Sequence, residues 1–339
     1  MSPYTSRAPR VGLVLGAGGV VGQAFQAGVL GALAHDLGWD PRTAEVIVGT
    51  SAGSIAATAL RLGVPALDLA SATASLVPSE EGRAVLDALH LDGADLPPLD
   101  LRHLVRPWRL PSPRLVLRAA RRPWAFRPAV AAMTLLPHGW VDLAEAARAL
   151  APFLPEDWPD GLRICAARAD TGARTVFGAP GRPAVPLDRA VLASCAIPGY
   201  FKPVDVGGAP HFDGGVHSPT NADCIRDLDL DLVIVSSPMS AVHGRAPTPD
   251  AVLRWSSHRR LQRELRRIRA TGAETVVFEP SPRVLAAMGI DAMAGDRGDR
   301  VVRESFLAAG SRLLTPRVAA ALAPLRRHVD PEPASLRTP

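Results

Sequence analysis

Two observations predict an α/β fold built on a mostly parallel central sheet. Short apolar runs of strand length alternate along the chain with longer segments of helical periodicity. Such βαβα alternation places helices on both faces of a largely parallel sheet. In addition, a cluster of glycines stands between the first strand and the first helix, where a parallel sheet hands its chain from one layer to the next. At 339 residues, 47% hydrophobic and 21% charged, the chain can bury one large core of this kind.

The elements follow in order. Val11 to Leu15 reads as the first strand, and Gly22 to His35 as the helix after it. Val46 to Val48 is the second strand, and Ser51 to Leu62 its helix. The stretch 78–140 differs, being dense in Pro, Arg and Trp, as in Arg106-Pro107-Trp108-Arg109-Leu110 and Arg121-Arg122-Pro123-Trp124-Ala125-Phe126-Arg127. It reads as a lid-like helical or irregular insertion over the core. A helix is expected over Val141 to Leu150, then strands at Leu162 to Ala167 and Thr175 to Phe177. Beyond these come a helix at Leu187 to Cys195, a strand at Leu232 to Ser236 and a helix at Val252 to Arg269. A strand at Thr275 to Phe278 and a helix at Val301 to Ala323 complete the pattern. One domain is expected over 8–325, with disordered tails at 1–7 and 330–339.

Composition narrows the function. The net charge of +5 is almost wholly arginine, since Lys202 is the sole lysine. The basic residues are spread along the chain without the interleaved aromatics of a strand-binding platform, so a nucleic-acid partner is not expected. Cys165, Cys195 and Cys224 are odd in number and widely spaced, which suits free thiols in a reducing compartment rather than a metal site. No run approaches the roughly 18 apolar residues of a membrane span, and the N-terminus lacks a signal-peptide pattern. A cytoplasmic location is expected.

The chemistry concentrates at three places. Gly49-Thr50-Ser51-Ala52-Gly53 follows an apolar strand and opens a run of small helix-forming residues, the arrangement of a nucleophile elbow that exposes a serine hydroxyl at a strand tip. Upstream, Gly16-Ala17-Gly18-Gly19-Val20-Val21-Gly22 joins a strand to a helix, where backbone N–H groups and the helix's positive end make an anion site. That anion is either a dinucleotide pyrophosphate or a transient oxyanion. The pyrophosphate fingerprint expects Gly-x-Gly-x-x-Gly and an acidic residue after the next strand, which here ends in Gly49-Thr50-Ser51. The pairing with a serine elbow therefore favours the oxyanion. Downstream, Asp213-Gly214-Gly215 offers a carboxylate flanked by glycines that allow close approach; it is a candidate base, with His211 and His217 as rivals and an ordinary turn as the bland reading.

Taken together, these three ordered blocks and the segment Ala193 to Val204 resemble the patatin-like phospholipases. The resemblance implies a patatin-like three-layer α/β/α sandwich. It implies a Ser-Asp dyad with Ser51 as nucleophile and Asp213 as base, no catalytic histidine, no cofactor and no metal. Ala17, Gly18 and Gly19 would supply the oxyanion hole, and Gly16, Gly22, Gly49, Gly53, Gly214 and Gly215 the close-packed loops. The implied substrate is a lipid acyl ester, met at a membrane surface by a peripheral protein, with the arginine and tryptophan pairs of 78–140 resting on phospholipid or serving as a solvated cap. Two departures stand out: Val21 replaces the family's usual Arg or Lys, and Ala17 replaces a glycine. A free aspartate, with a pKa of about 3.9, is a feeble base for serine; partial burial near the elbow would raise its proton affinity. Two other readings remain open: a catalytically silent lipid-binding or regulatory protein of the same fold, and an NAD(P)-dependent oxidoreductase.

Overall fold

The computed structural model describes residues 7–89, 151–241 and 250–326, with isolated positions at 117, 120–121, 139 and 141–143 between them. Most of the insertion expected over 78–140, including the tryptophan-bearing segments, lies outside the described residues. So do the tails 1–6 and 330–339 and most of the helix expected after Val141. Val141 itself does not open a helix but forms a parallel bridge with Phe201.

A single eight-stranded sheet forms the middle layer. Its strands are β1 (Val11–Leu15), β2 (Val46–Thr50), β3 (Leu162–Arg168), β4 (Arg174–Phe177), β5 (Val204–Val206), β6 (Ala209–Asp213), β7 (Leu232–Ser236) and β8 (Glu274–Phe278). The run β8-β7-β1-β2-β3 is parallel throughout. Its strands are near-continuous apolar runs because both faces are covered. β4 and β6 pair antiparallel with β3, and β5 pairs antiparallel with β6. β5 and β6 are not anticipated in the sequence. They form a hairpin across Gly207-Gly208, both at positive φ, the conformation a two-residue primed turn requires.

The helices are α1 (Gly19–His35), α2 (Ala52–Arg61), α3 (Ala66–Thr73), α4 (Glu80–Leu89), α5 (Leu187–Cys195), α6 (Ala251–Arg269), α7 (Pro282–Met288), α8 (Gly298–Leu313) and α9 (Pro316–Arg326). One long helix over Val301–Ala323 is therefore replaced by two. Pro316 cannot donate within a helix and clashes with the preceding turn, so it starts a new one.

Side chains alternate across the strands and fill two cores. Leu13, Leu15, Ile47, Ile164, Ile234 and Phe278 pack with Phe25, Leu30 and Leu33 of α1 and Leu60 of α2. Val14, Val48, Val233 and Val235 face the opposite way and meet Leu261, Leu265 and Ile268 of α6. Each such burial contributes about 1.5–3 kcal/mol. Right-handed crossovers explain the division: β1→β2→β3 steps one way with α1 and α2 on the first face, whereas β7→β8 steps the other way with α6 on the second. The direction reverses at β1, so the crevice at the carboxyl end of β1, between β2 and β7, is where such a sheet presents its site.

Candidate active site

The three blocks singled out in the sequence converge at that end of the sheet. Ser51 follows the last residue of β2 and caps α2 with φ 54° and ψ −125°. A non-glycine residue there is strained, and the surroundings hold it. The Ser51 N–H donates to Ser194 Oγ at 2.9 Å, and that hydroxyl donates in turn to the Cys165 carbonyl at 2.7 Å. The Ser51 carbonyl accepts from the Ser54 N–H and the Ser54 hydroxyl, each at 2.7 Å. Gly53 lies against the backbone carbonyls of Leu15 and Gly16, where no Cβ fits.

Strand register brings Asp213 to this serine. On β3, Cys165 pairs with Thr50 and with Val176, while Ala166 pairs with Asp213 and with Thr175. β4 thus occupies one edge of β3 along both residues, which leaves β2 and β6 to share the other. They approach from opposite directions and meet at their carboxyl ends, so Thr50-Ser51 abuts Asp213. The Ser51 side chain lies against the Asp213 carboxylate, near enough to pull its pKa down. Asp213 Oδ1 accepts the Gly215 N–H at 2.7 Å. Both Ser51 and Asp213 are buried, each 6% exposed. Burial pushes the Asp213 carboxyl up to about 6, against the opposing pull of the neighbouring Ser51 side chain and the Gly215 N–H.

The glycine loop lies between these two groups, touching Gly53 on one side and bringing Ala17 beside Gly215 on the other. Its donors are not equivalent. The Ala17 N–H donates to the Pro219 carbonyl at 2.7 Å. The Gly16 N–H is likewise used, on the Ser236 carbonyl at 3.0 Å. The N–H groups of Gly18 and Gly19 have no partner among the described residues. Val21 is buried in the core and gives its N–H to the Ala292 carbonyl at 3.2 Å, so this position offers no charge to a ligand.

The rival bases are occupied elsewhere. His211 bonds the Ala209 carbonyl through Nδ1 at 2.8 Å and Thr175 Oγ1 through Nε2 at 3.1 Å, and burial lowers its pKa. His217 lines a cavity with Arg174, Asp223 and Arg267 to which neither Ser51 nor Asp213 contributes.

Three supporting residues escape a reading of the sequence. Asn221, in the left-handed conformation, donates through Nδ2 to Thr50 Oγ1 and the Gly214 carbonyl, each at 3.2 Å, and to the Ser218 carbonyl at 2.7 Å. It thereby ties the strand before the serine to the turn after the aspartate. Glu264, fully buried on α6, accepts the Thr220 hydroxyl at 2.7 Å and the Ala222 N–H at 2.9 Å, fixing the residues on either side of Asn221. The one available signal was an Asn, the residue most tolerant of left-handed φ after Gly, just past Pro219-Thr220. Ser194 is the third, and its role depends on a contact far from its place in the chain. Ser194→Ala leaves the Ser51 N–H and the Cys165 carbonyl unpaired, at about 1–3 kcal/mol for each buried group. Urea denaturation is expected to register that loss as a lower midpoint with an unchanged slope.

Among the described residues no group of three or more His, Cys, Asp or Glu is gathered closely enough to hold a metal ion, and no helix is long and apolar enough to cross a membrane.

A family model described as patatin-like phospholipase matches residues 13–223, a span that contains the glycine loop, Ser51 and Asp213. No curated protein matches the chain. Among solved structures, the type III effector ExoU is 18% identical, with 90% of this chain and 53% of that one covered and a TM-score of 0.36. The ExoU–SpcU complex of the Pseudomonas aeruginosa type III secretion system gives 18% identity, 95% and 58% coverage and a TM-score of 0.36. VipD from Legionella pneumophila gives 14% identity, 90% and 67% coverage and a TM-score of 0.38. The chain spans about half the length of ExoU. With the family model covering well over half of the sequence, the chain belongs to the patatin-like phospholipase family.

Proposed function

We propose that the protein hydrolyses carboxylic esters of lipids, phospholipids among them, through an acyl-enzyme on Ser51 with Asp213 as the base. The observation that supports this reading is Ser51, at a strained strand-to-helix turn, set by strand register against the buried carboxylate of Asp213. In the reaction, Asp213 takes the hydroxyl proton as Ser51 Oγ attacks the ester carbonyl. The negative charge that forms on the carbonyl oxygen is met by the N–H groups of Gly18 and Gly19, with the positive end of α2 beside it. Collapse expels the alcohol, which takes the proton from Asp213, and leaves an acyl group on Ser51. Asp213 then deprotonates water, whose attack releases the carboxylate and restores the serine.

Burial of Asp213 supports the assignment. An aspartate held near 6 is a stronger base than a solvated one and is still mostly ionised at neutral pH. The base must be ionised to act, so activity rises with pH. An active-site-directed fluorophosphonate is expected to label Ser51, at a rate that climbs along a sigmoid with its midpoint near 6. Absence of labelling at Ser51 in folded protein would favour a catalytically silent lipid-binding protein, and a midpoint near 4 would show that the base is a carboxyl whose pKa burial does not raise.

A further inference from the structure

Apolar side chains stand in water at the end of the sheet that carries Ser51. α6 packs back along β7 and β8 through Leu261, Leu265 and Ile268, so its first turns lie at the carboxyl ends of those strands. There Val252, Leu253 and Trp255 are exposed by 53% to 72%. Ile290, just past α7, is 70% exposed. Both places are tied to the glycine loop. Arg254 donates to the Pro238 carbonyl at 2.8 Å, and Pro238 packs on Gly18 and Gly22. Two residues beyond Ile290, the Ala292 carbonyl lies against Gly19 and accepts the Val21 N–H. Single exposed apolar residues are ordinary, but four grouped about one loop mark an interaction surface.

Charge follows the apolar residues along the same helix. Val252, Trp255, Arg259, Arg263 and Arg266 recur at intervals of three and four, which sets them on one face, and all are exposed. The Arg259 guanidinium lies over the Trp255 ring, 4.7 Å from its centre. None of these three arginines has a carboxylate partner among the described residues, and Glu264, the only acid within α6, is fully buried on the opposite side. The face is therefore apolar at its tip and cationic behind it, a pattern that a negatively charged lipid surface complements.

We propose that the first turns of α6, together with Ile290, dock the protein on an anionic phospholipid bilayer with the Ser51 end of the sheet turned to the lipid. The purpose of this surface rests on the ester-hydrolase reading, since the bilayer would then supply the substrate. Val252, Leu253, Trp255 and Ile290 enter the interface, and Arg259, stacked on Trp255, meets the phosphates. A rise of about 1.5 Å per residue puts Arg259 about 10 Å and Arg266 about 21 Å behind Val252. Charges are screened over about 8 Å at physiological ionic strength, so Arg259 feels the lipid charge far more than Arg266 does. A second copy of the chain fits this face less well, because pairing like with like would oppose two basic stripes with no exposed acid on either helix.

Co-sedimentation of the full chain with vesicles of phosphatidylcholine and phosphatidylglycerol tests the surface. The unaltered protein is expected to bind these vesicles, and to bind phosphatidylcholine alone more weakly. Trp255→Ala and Ile290→Ser are each expected to weaken binding about tenfold, Arg259→Gln about fivefold, and Arg266→Gln less than about twofold. All four side chains are exposed, so the variants are expected to fold and to hydrolyse a dissolved nitrophenyl ester as the unaltered chain does. Failure of the unaltered protein to bind, or undiminished binding by Trp255→Ala and Ile290→Ser, overturns the proposal. Equal losses in Arg259→Gln and Arg266→Gln overturn it too, by laying α6 flat on the bilayer, as does a lipid-free dimer that Trp255→Ala dissociates. Sedimentation needs no catalysis, so an unreactive Ser51 leaves this result standing, and a failed surface leaves the dyad standing.

Discussion

Asp213→Asn yields a folded protein that hydrolyses a nitrophenyl acyl ester about 10⁴-fold more slowly than the unaltered chain, or slower still, and that is more stable at neutral pH. The amide is nearly isosteric, and its oxygen can still accept the Gly215 N–H, so the turn persists. What disappears is a group able to take the Ser51 proton, because an amide is not a base at these pH values. The gain in stability follows from the same burial that serves catalysis. The carboxyl sits at about 6 in the fold, above its unfolded value of about 3.9. Between those values the folded protein binds more protons than the unfolded one, so stability falls as pH rises through this window. A displacement of about two pH units corresponds to about 3 kcal/mol. That deficit is fully present above pH 6 and absent below about 4, and the neutral amide escapes it. Melting curves at pH 4 and pH 7 should therefore separate the two proteins at pH 7 and bring them together at pH 4. Survival of hydrolysis in Asp213→Asn, with loss in His217→Ala, would transfer the role of base to a histidine.

Gly53→Ala is expected to prevent stable folding, a loss beyond about 4 kcal/mol, visible as insoluble or protease-sensitive protein. The added Cβ would overlap the Leu15 carbonyl oxygen and crowd the Leu15 carbonyl carbon and the Gly16 oxygen. All three are backbone atoms, at the end of the central strand and the start of the glycine loop, so none can swing aside as a side-chain tip would. Gly207→Ala in the β5–β6 hairpin provides the comparison. There φ is +61° but nothing lies within 4 Å of the new Cβ, so only the left-handed backbone resists, at about 1–2 kcal/mol. Equal tolerance of the two substitutions would mean that the elbow is not packed against β1 as described.

Much of the architecture was legible from residue order because its causes are local. The parallel strands announce themselves as short apolar runs, since a strand covered on both faces has no polar side. Gly49 to Gly53 announces a strand-to-helix turn because its glycines and small residues are what that turn needs. The unanticipated hairpin was marked by Gly207-Gly208, but its strands are too short and too mixed in composition to stand out. The break before Pro316 was likewise visible, although apolar periodicity runs across it.

The sequence by itself determined the layers, the strand-to-helix turn at Ser51 and the glycine loop ahead of α1, since each depends on neighbours along the chain. Only the tertiary structure decided which groups surround the serine. β2 and β6 share one edge of β3 and meet there end to end, which sets Asp213 against Ser51 and leaves His211 bonded to Thr175 and Ala209. The same packing uses the Ala17 N–H on Pro219, leaves those of Gly18 and Gly19 without a partner among the described residues, and buries Val21 in the core. Those outcomes rest on strand register and on hydrogen bonds between distant segments, and no local pattern of residue types encodes either.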